Sequence, residues 1–498
     1  MKPANRWLLL AAALLAFVPV AIDLTILHIA VPSLTLDLKA TGTEVLWIVD
    51  IYPLIMAGLL VPMGVLTDRI GTRRMLLIGM SIFLLASIGA AFSPTAPVLI
   101  GARAVLAVGS AMMIPPVLAV IRRGFTDERE RGIALGLWGT VAGAGAAVGP
   151  LIGGALLEHF WWGSVFLINV PIMMLVAPMV WVLVPDDGMP SRSPLPITQT
   201  LLLIAGLMLT VFAIKSIFKP DQESLLGFAL LVVGLGLLAL FARQQLRSAH
   251  PMLDLSLFER PQVRVGLIMA LVASGALAGV ELTIAQEMQF VIGKAPLEAG
   301  LFLLPLMTAA AIAGPIGGWF ASSVGLRQLA SASLAISAIG LGGLAFSDFH
   351  AAGLREIFLL ATLGTGLSVG LTASSIAIMS NITAEKAGSA GSLEATAYDL
   401  GSGLGITGFG VLLGTTYAKA IAIPAELTTS VTQAARLSIG ETMSAASELP
   451  SGEAELLIEA GRTAFSFAHT TVLGSAALLL LSLALVVFIM LRPHPSHN

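Results

Sequence analysis

Six carboxylates stand inside stretches of the chain that are otherwise almost wholly apolar: Asp23, Asp50, Glu281, Glu287, Glu394 and Asp399. One arginine, Arg103, is embedded in the same way, within Leu99-Ile-Gly-Ala-Arg103-Ala-Val-Leu-Ala-Val-Gly109. A carboxyl group taken out of water favours its neutral form, so it can exchange a proton near neutral pH. The same group, once ionised, can neutralise a positively charged apolar molecule. Competition between proton and cation for one carboxylate exchanges the two without ATP, and the chain carries no Walker sequence. Glu281 and Glu287 are about 120° apart around a helix, and Glu394 and Asp399 about 140°. Neither pair shares a narrow face, so its members are expected to have different roles. Tyr52 and Tyr398 accompany these acids in sequence and can offer a cation their ring faces.

Other chemistries lack their residues. The absence of cysteine excludes disulfides, thiolate metal sites and cysteine nucleophiles. The seven histidines show no metal-ligand spacing, and no nucleophile–base constellation is evident, so no metal, no cofactor and no enzyme activity are expected. A net charge of −3 gives no nucleic-acid footprint.

The elements that must hold these groups follow from composition. Of 498 residues, 57% are apolar and 11% charged, and the mean hydropathy is +0.94. Soluble domains carry about 25% charged residues, so this chain could not coat itself in water. A bilayer removes that requirement, and spans need roughly 20 mainly apolar residues. Fourteen stretches qualify, near 7–34, 45–66, 75–93, 97–120, 132–157, 164–184, 197–218, 224–242, 262–292, 298–321, 326–347, 354–380, 388–417 and 464–491. The first is too long for a secretory h-region of about 7–15 residues and reads as a retained span.

Lys and Arg between the spans are distributed 17 on the side of the termini against 8 on the other, which counts Lys215, with Arg103 alone inside a span. The positive-inside rule then places both termini in the cytoplasm. The loop 418–463, with six Glu and three Lys/Arg, is expected to be a solvated helical hairpin turning at Leu449-Pro450-Ser451-Gly452, or alternatively a lid that attracts cations. Arg103 costs about 2.5–3.5 kcal/mol at the centre of a span, so a counter-charge or aqueous cavity is expected beside it.

Two motifs recur. Gly64, Gly71 and Arg73 align with Gly318, Gly325 and Arg327 at an offset of 254; Gly145, Gly149 and Gly154 align with Gly401, Gly405 and Gly410 at 256. The nearly equal offsets indicate two six-helix halves. The expected organisation is a bundle over 1–190, two inserted helices over 191–260, and a second bundle over 261–498.

The segment Gly64-Val-Leu-Thr-Asp68-Arg69-Ile-Gly71-Thr-Arg73-Arg74 resembles the signature loop of the major facilitator superfamily, a conformational latch. Arg103 matches that superfamily's fourth-helix arginine, tied to proton coupling, with Ala107 where Gln is usual. Gly145-Ala-Ala-Val-Gly149-Pro150-Leu-Ile-Gly153-Gly154 is similar to its antiporter motif, which points to export. Asp23-Leu-Thr25, followed by Ala30 and Pro32, resembles the first helix of the fourteen-helix drug:proton antiporter family, with His28 at the usual Asn. Trp161, Trp162, Phe166, Asn169 and Pro171 resemble a further family element with a structural role, and Glu394 to Gly401 resembles the acidic thirteenth helix of quaternary ammonium exporters.

The resemblance spans nearly the whole chain. It implies a monomeric, all-α major facilitator fold in the bacterial inner membrane, with proton-driven export of lipophilic cations such as quaternary ammonium compounds, biguanides, methyl viologen and dyes. It also implies proton coupling at Asp23, Arg103, Glu281 and Asp399, and cargo binding at Asp23, Tyr52, Glu281, Glu287, Glu394, Tyr398 and Asp399. A proton-coupled exporter of a metabolite, peptide or lipid on the same fold is the alternative.

Overall fold

The computed structural model describes residues 3–125, 127–186, 196–218, 224–248, 251–351, 353–379, 387–423 and 427–491. In a bilayer the backbone must satisfy its own hydrogen bonds, and the helix does so within one segment. The first bundle contains α1 (Pro3–Asp37), α2 (Gly42–Ile70), α3 (Thr72–Ala91), α4 (Ala96–Gly124), α5 (Glu128–His159), α6 (Ser164–Leu167) and α7 (Asn169–Leu183). The helices α6 and α7 form one span, interrupted at Ile168. Two inserted helices follow, α8 (Ile197–Ile217) and α9 (Ser224–Arg247). The second bundle has α10 (Pro261–Gln286), α11 (Pro296–Val324), α12 (Leu326–Ala345), α13 (Leu354–Met379) and α14 (Ala387–Ala420); then come the short α15 (Thr429–Ala435) and α16 (Ile439–Ala446), and the final α17 (Ser451–Met490).

Thirteen of these spans are long and apolar enough to cross a membrane by length and composition. The remaining long helix, α14, is rich in Gly and Thr and carries Glu394 and Asp399, which makes it less apolar. Fourteen crossings return the chain to the face from which it started. That face is called the terminal face below, and the opposite one the far face.

Sequence detail sets the ends of these helices. Thr41 and Glu44 close a capping box on α2: Glu44 Oε2 accepts from the Thr41 N–H at 2.9 Å, and Thr41 Oγ1 from the Glu44 N–H at 3.3 Å. Gly71 links α2 to α3 at φ 92°, ψ 151°, and Gly325 links α11 to α12 at φ 85°, ψ 145°. Only glycine enters that region freely, so the repeat legible in the sequence is a repeat of backbone geometry. The arginine two residues later behaves alike in both halves. Arg73 lies over the Trp181 ring and donates to the Trp181 carbonyl at 3.3 Å; Arg327 lies over the Phe488 ring and donates to the Phe488 carbonyl at 2.7 Å.

One apolar cluster fills the first bundle, around Phe17, Tyr52, Phe83 and Phe166, and a second fills α10 to α13 with α17. A third lies under α15 and α16, and a fourth joins α8 and α9 to α10 and α14. The expected boundary at 190 falls outside the described residues; the one at 260 lies where Pro261 opens α10.

Two expectations need correction. The loop 418–463 is not a free-standing hairpin, because its second arm is the first part of α17, which runs unbroken through Ser451–Met490. Its first arm, α15 and α16, packs down on the bundle: Gly440 sits against Thr35, and the Tyr417 hydroxyl meets Thr442 Oγ1 at 2.6 Å. Lys215, counted with the basic residues outside the spans, lies inside α8 and is 2% exposed.

Candidate functional site

Small residues let the core helices approach closely enough to bring polar groups together. Gly145, Gly149 and Gly153 form a stripe on α5, and side chains there would collide with Ala21, Thr25 and Ile26 of α1. In the other half, Gly401 and Gly405 of α14 lie against Leu271, Ser274 and Gly275 of α10 in the same manner. Across the halves, Gly154 meets Leu297 and Gly300 meets the Pro150 carbonyl, while Gly403 meets Leu54 and Gly410 meets Leu46. These close approaches run from mid-helix to the far face. Toward the terminal face α5 stays on α1, through Arg6 with Glu130 and Phe17 with Trp138, but the face that meets α11 at Pro150 and Gly154 stands open: side chains added at Gly136, Gly139 and Gly143 would meet nothing within 4 Å. The halves are thus closed at the far end and parted at the terminal end.

Apart from Glu394, which lies in the first quarter of α14 toward the terminal face, the embedded charges occupy the middle and far half of this arrangement. Arg103 Nη1 donates to Asp23 Oδ2 at 2.6 Å, and both side chains are almost wholly buried. Its Nε donates to the Ile48 carbonyl at 3.2 Å, and its guanidinium lies 4.6 Å from the centre of the Tyr52 ring. The Tyr52 hydroxyl meets Ser110 Oγ at 2.6 Å. Tyr52 is fully buried, so in this conformation its ring serves Arg103 rather than cargo.

The four acids of the second half separate as their angular spacing implied. Glu281 Oε2 lies 3.3 Å from His28 Nδ1, a contact between α10 and α1. Glu287 opens a π-helical turn (Glu287–Val291) at the end of α10, accepts from Ser466 Oγ at 2.7 Å and lies 4.0 Å from His469 Nδ1. Glu394 accepts from the Tyr398 hydroxyl at 2.9 Å. Asp399 is half-buried and has no hydrogen bond or ion pair with any described residue. Asp399 stands four residues before Gly403, the position at which α14 meets Leu54 of α2 across the halves.

Asp50 makes a different contact. Its Oδ2 lies 2.7 Å from Lys215 Nζ, reaching in from α8, and accepts from Thr407 Oγ1 of α14 at 2.6 Å. Among the described residues no group of three or more His, Cys, Asp or Glu is placed to hold a metal ion.

The sequence profile described as the Major Facilitator Superfamily matches residues 13–406. The chain belongs to that superfamily. It is 45% identical over 480 residues to the methyl viologen resistance protein SmvA of Salmonella typhimurium, covering 96% of this chain and 97% of the relative. It is 37% identical over 492 residues to the multidrug efflux pump LfrA of Mycolicibacterium smegmatis, covering 98% and 97%. Among solved structures, a bacterial homologue of the human lysosomal transporter Spinster, in an inward-facing and occupied conformation, superposes with a TM-score of 0.72 at 14% identity over the whole of both chains. At that identity the likeness is one of fold.

Within this facilitator the signature loop ties helices together near the terminal face. Arg123 of α4 donates to Asp68 Oδ1 at 3.0 Å, and Arg73 to Asp186 Oδ2 at 2.9 Å. Gly64 faces Pro115 of α4, while Arg69 closes the last turn of α2. The aromatic element after α5 joins helix ends, with Trp162 Nε1 donating to Asp37 at 2.6 Å and Asn169 to Ser87 at 3.3 Å.

Sequence reasoning singled out the acids and missed their partners. His28, Lys215 and His469 each meet an acid from another element, and each is nearly fully buried. Embedding in an apolar run, the signal that revealed the acids, was available for His28 and His469, whereas Lys215 stands in the last turn of α8.

Proposed function

We propose that this facilitator exports lipophilic cations from the cytoplasm across the bacterial inner membrane in exchange for protons, as a monomer and without a cofactor. The terminal face is the cytoplasmic one in this reading, supported by its excess of Lys and Arg. The observation that carries it is Asp399: a half-buried acid without a partner among the described residues, one turn before the Gly403 contact between the halves. A carboxylate there can hold a proton or a cationic cargo but not both at full strength. The names of SmvA and LfrA, methyl viologen resistance and multidrug efflux, support cationic cargo.

Roles divide by environment. Asp399 is the exchange group, with Tyr398 beside it in sequence and Glu394 more than one turn earlier on the same helix lining the approach. Asp23 and Arg103 form a buried charge pair in the other half, and a proton or cation arriving at Asp399 changes the field on that pair. Glu281 and Glu287, held by His28 and by Ser466 with His469, lie further toward the far face and serve protons and cargo on the exit side. Arg73 and Asp68 tie helix ends that must shift when the terminal face closes.

The test uses purified protein in proteoliposomes with an internal pH dye. Addition of tetraphenylphosphonium is expected to drive proton movement that an inactive, heat-treated preparation does not show. A steady proton leak independent of the cation, or no cation-driven pH change, contradicts the reading and favours a different cargo.

A further inference from the structure

The inserted helices α8 and α9 have no counterpart within either six-helix half, yet α8 delivers a charge into the core. It lies tightly along α2, where Gly58 meets Ile204 and the rings of Trp47 and Phe212 lie 6.4 Å apart. From its last turn Lys215 reaches Asp50, with its ammonium nitrogen 3.7 Å from the centre of the Trp47 ring. The lysine and aspartate are 2% and 0% exposed. The side chains that pair with Asp50 are thus Lys215 of α8 and Thr407 of α14, while Arg103 of α4 is engaged with Asp23 and the Ile48 carbonyl.

Two further observations give this pair a place in transport. Lys215 lines a cavity at the far end, with about 140 Å³ open to the centres of water molecules, together with Leu46, Thr283, Gln286, Phe290 and Phe465. The α15–α16 segment contributes Glu441 to the same wall. The cavity lies between α2 of the first half and α10 and α14 of the second. The pair is also one-sided. The residue corresponding to Asp50 at the repeat offset of 254 is Leu304, and the α5–α11 seam is made by the small-residue contacts of Gly154 and Gly300.

We propose that Lys215 is a positioning residue for export: by occupying Asp50 it keeps that carboxylate from holding a cation in the exit cavity, so cargo is retained at Asp399 and released at the far face. The inference rests on the reading of the protein as a cation exporter. An uncompensated aspartate beside this cavity would be a trap for a lipophilic cation, with Trp47 as an aromatic wall beside it. The inserted helix supplies the internal cation that closes the trap.

The experiment measures equilibrium binding of tetraphenylphosphonium to Lys215→Gln, Asp50→Asn and the double variant, at alkaline pH where a lone carboxyl group gives up its proton most readily. Lys215→Gln is expected to bind about tenfold more tightly than the wild type and to transport more slowly, as removal of a neighbouring like charge implies. Asp50→Asn, which leaves the ammonium unopposed, is expected to bind more weakly. The double variant is expected to return binding to within about threefold of the wild type. If Lys215→Gln does not fold, the comparison of Asp50→Asn with the double variant still decides the sign. The proposal is overturned if all variants bind more weakly, as loss of a structural tie would produce, or if the double variant keeps the tight binding of Lys215→Gln. Failure of the cation-export reading looks different: the wild type itself would then show no cation-driven proton movement.

Discussion

At the scale of single residues, most embedded charges meet a partner on another helix, Glu394 meets the Tyr398 hydroxyl of its own helix, and Asp399 has no partner among the described residues. The Asp23–Arg103 pair is short and nearly dry, and Asp23 Oδ1 accepts no hydrogen bond from the described residues. Removing one partner of such a pair strands the other charge, at a typical cost of about 3–5 kcal/mol. Arg103→Ala is therefore expected to lower the thermal unfolding midpoint far more than Asp23→Asn combined with Arg103→Gln, which leaves no net charge stranded. A fluorescence-detected melt in detergent measures both; equal shifts would mean that the pair's packing, not its charge, matters. Sequence made Asp23 and Arg103 legible because charge inside an apolar run is costly wherever it lies. It could not reveal that Glu281 meets His28, because those residues are 253 positions apart and only the fold joins them. Lys215 escaped notice because it stands at the end of its apolar run, where a basic residue ordinarily reaches for water.

At the scale of elements, the close-packed helix pairs α1–α5 and α10–α14 are the rigid parts on which the site is built. A side chain at Gly149 would run into Thr25 and the Ile22 carbonyl, and one at Gly405 into the Gly275 backbone. Gly149→Val and Gly405→Val are each expected to destabilise by about 1–3 kcal/mol and to abolish export, since overpacking displaces the helix that carries an acid. Gly139→Val, with nothing within 4 Å, is expected to leave both nearly unchanged. Thermal melts with a transport assay on the three variants check this; a tolerant Gly149 would mean the stripe is not a contact in the working protein. The glycine spacing and the repeated Gly-x-Arg were readable because each encodes a local steric demand. The path of 418–463 was not, because the turn at Leu449-Pro450 starts a helix that continues into the last span, and pattern alone does not tell a loop helix from the extension of a membrane helix.

At the scale of the whole molecule, the polar contacts that join the halves in the far half include His28 with Glu281, the Gln289 amide with the Ile29 carbonyl at 3.0 Å, Glu441 with the Gly42 N–H at 3.1 Å, Lys39 with Glu448 at 3.6 Å and the Thr407 hydroxyl with Asp50 at 2.6 Å. Opening toward the far side must part them, while the terminal side, where α5 stands away from α11, closes. The fold class and count of crossings were legible from hydropathy, because lipid leaves few solutions for a backbone; the direction in which the halves stand open was not, since the same sequence must adopt both states. The central claim is that proton and cationic cargo compete at Asp399. Its most direct test is the release of protons from purified protein in weakly buffered detergent solution upon addition of tetraphenylphosphonium. The account predicts a release of protons from the wild type and none from Asp399→Asn, with Asp50→Asn still releasing them. Undiminished proton release from Asp399→Asn would contradict it.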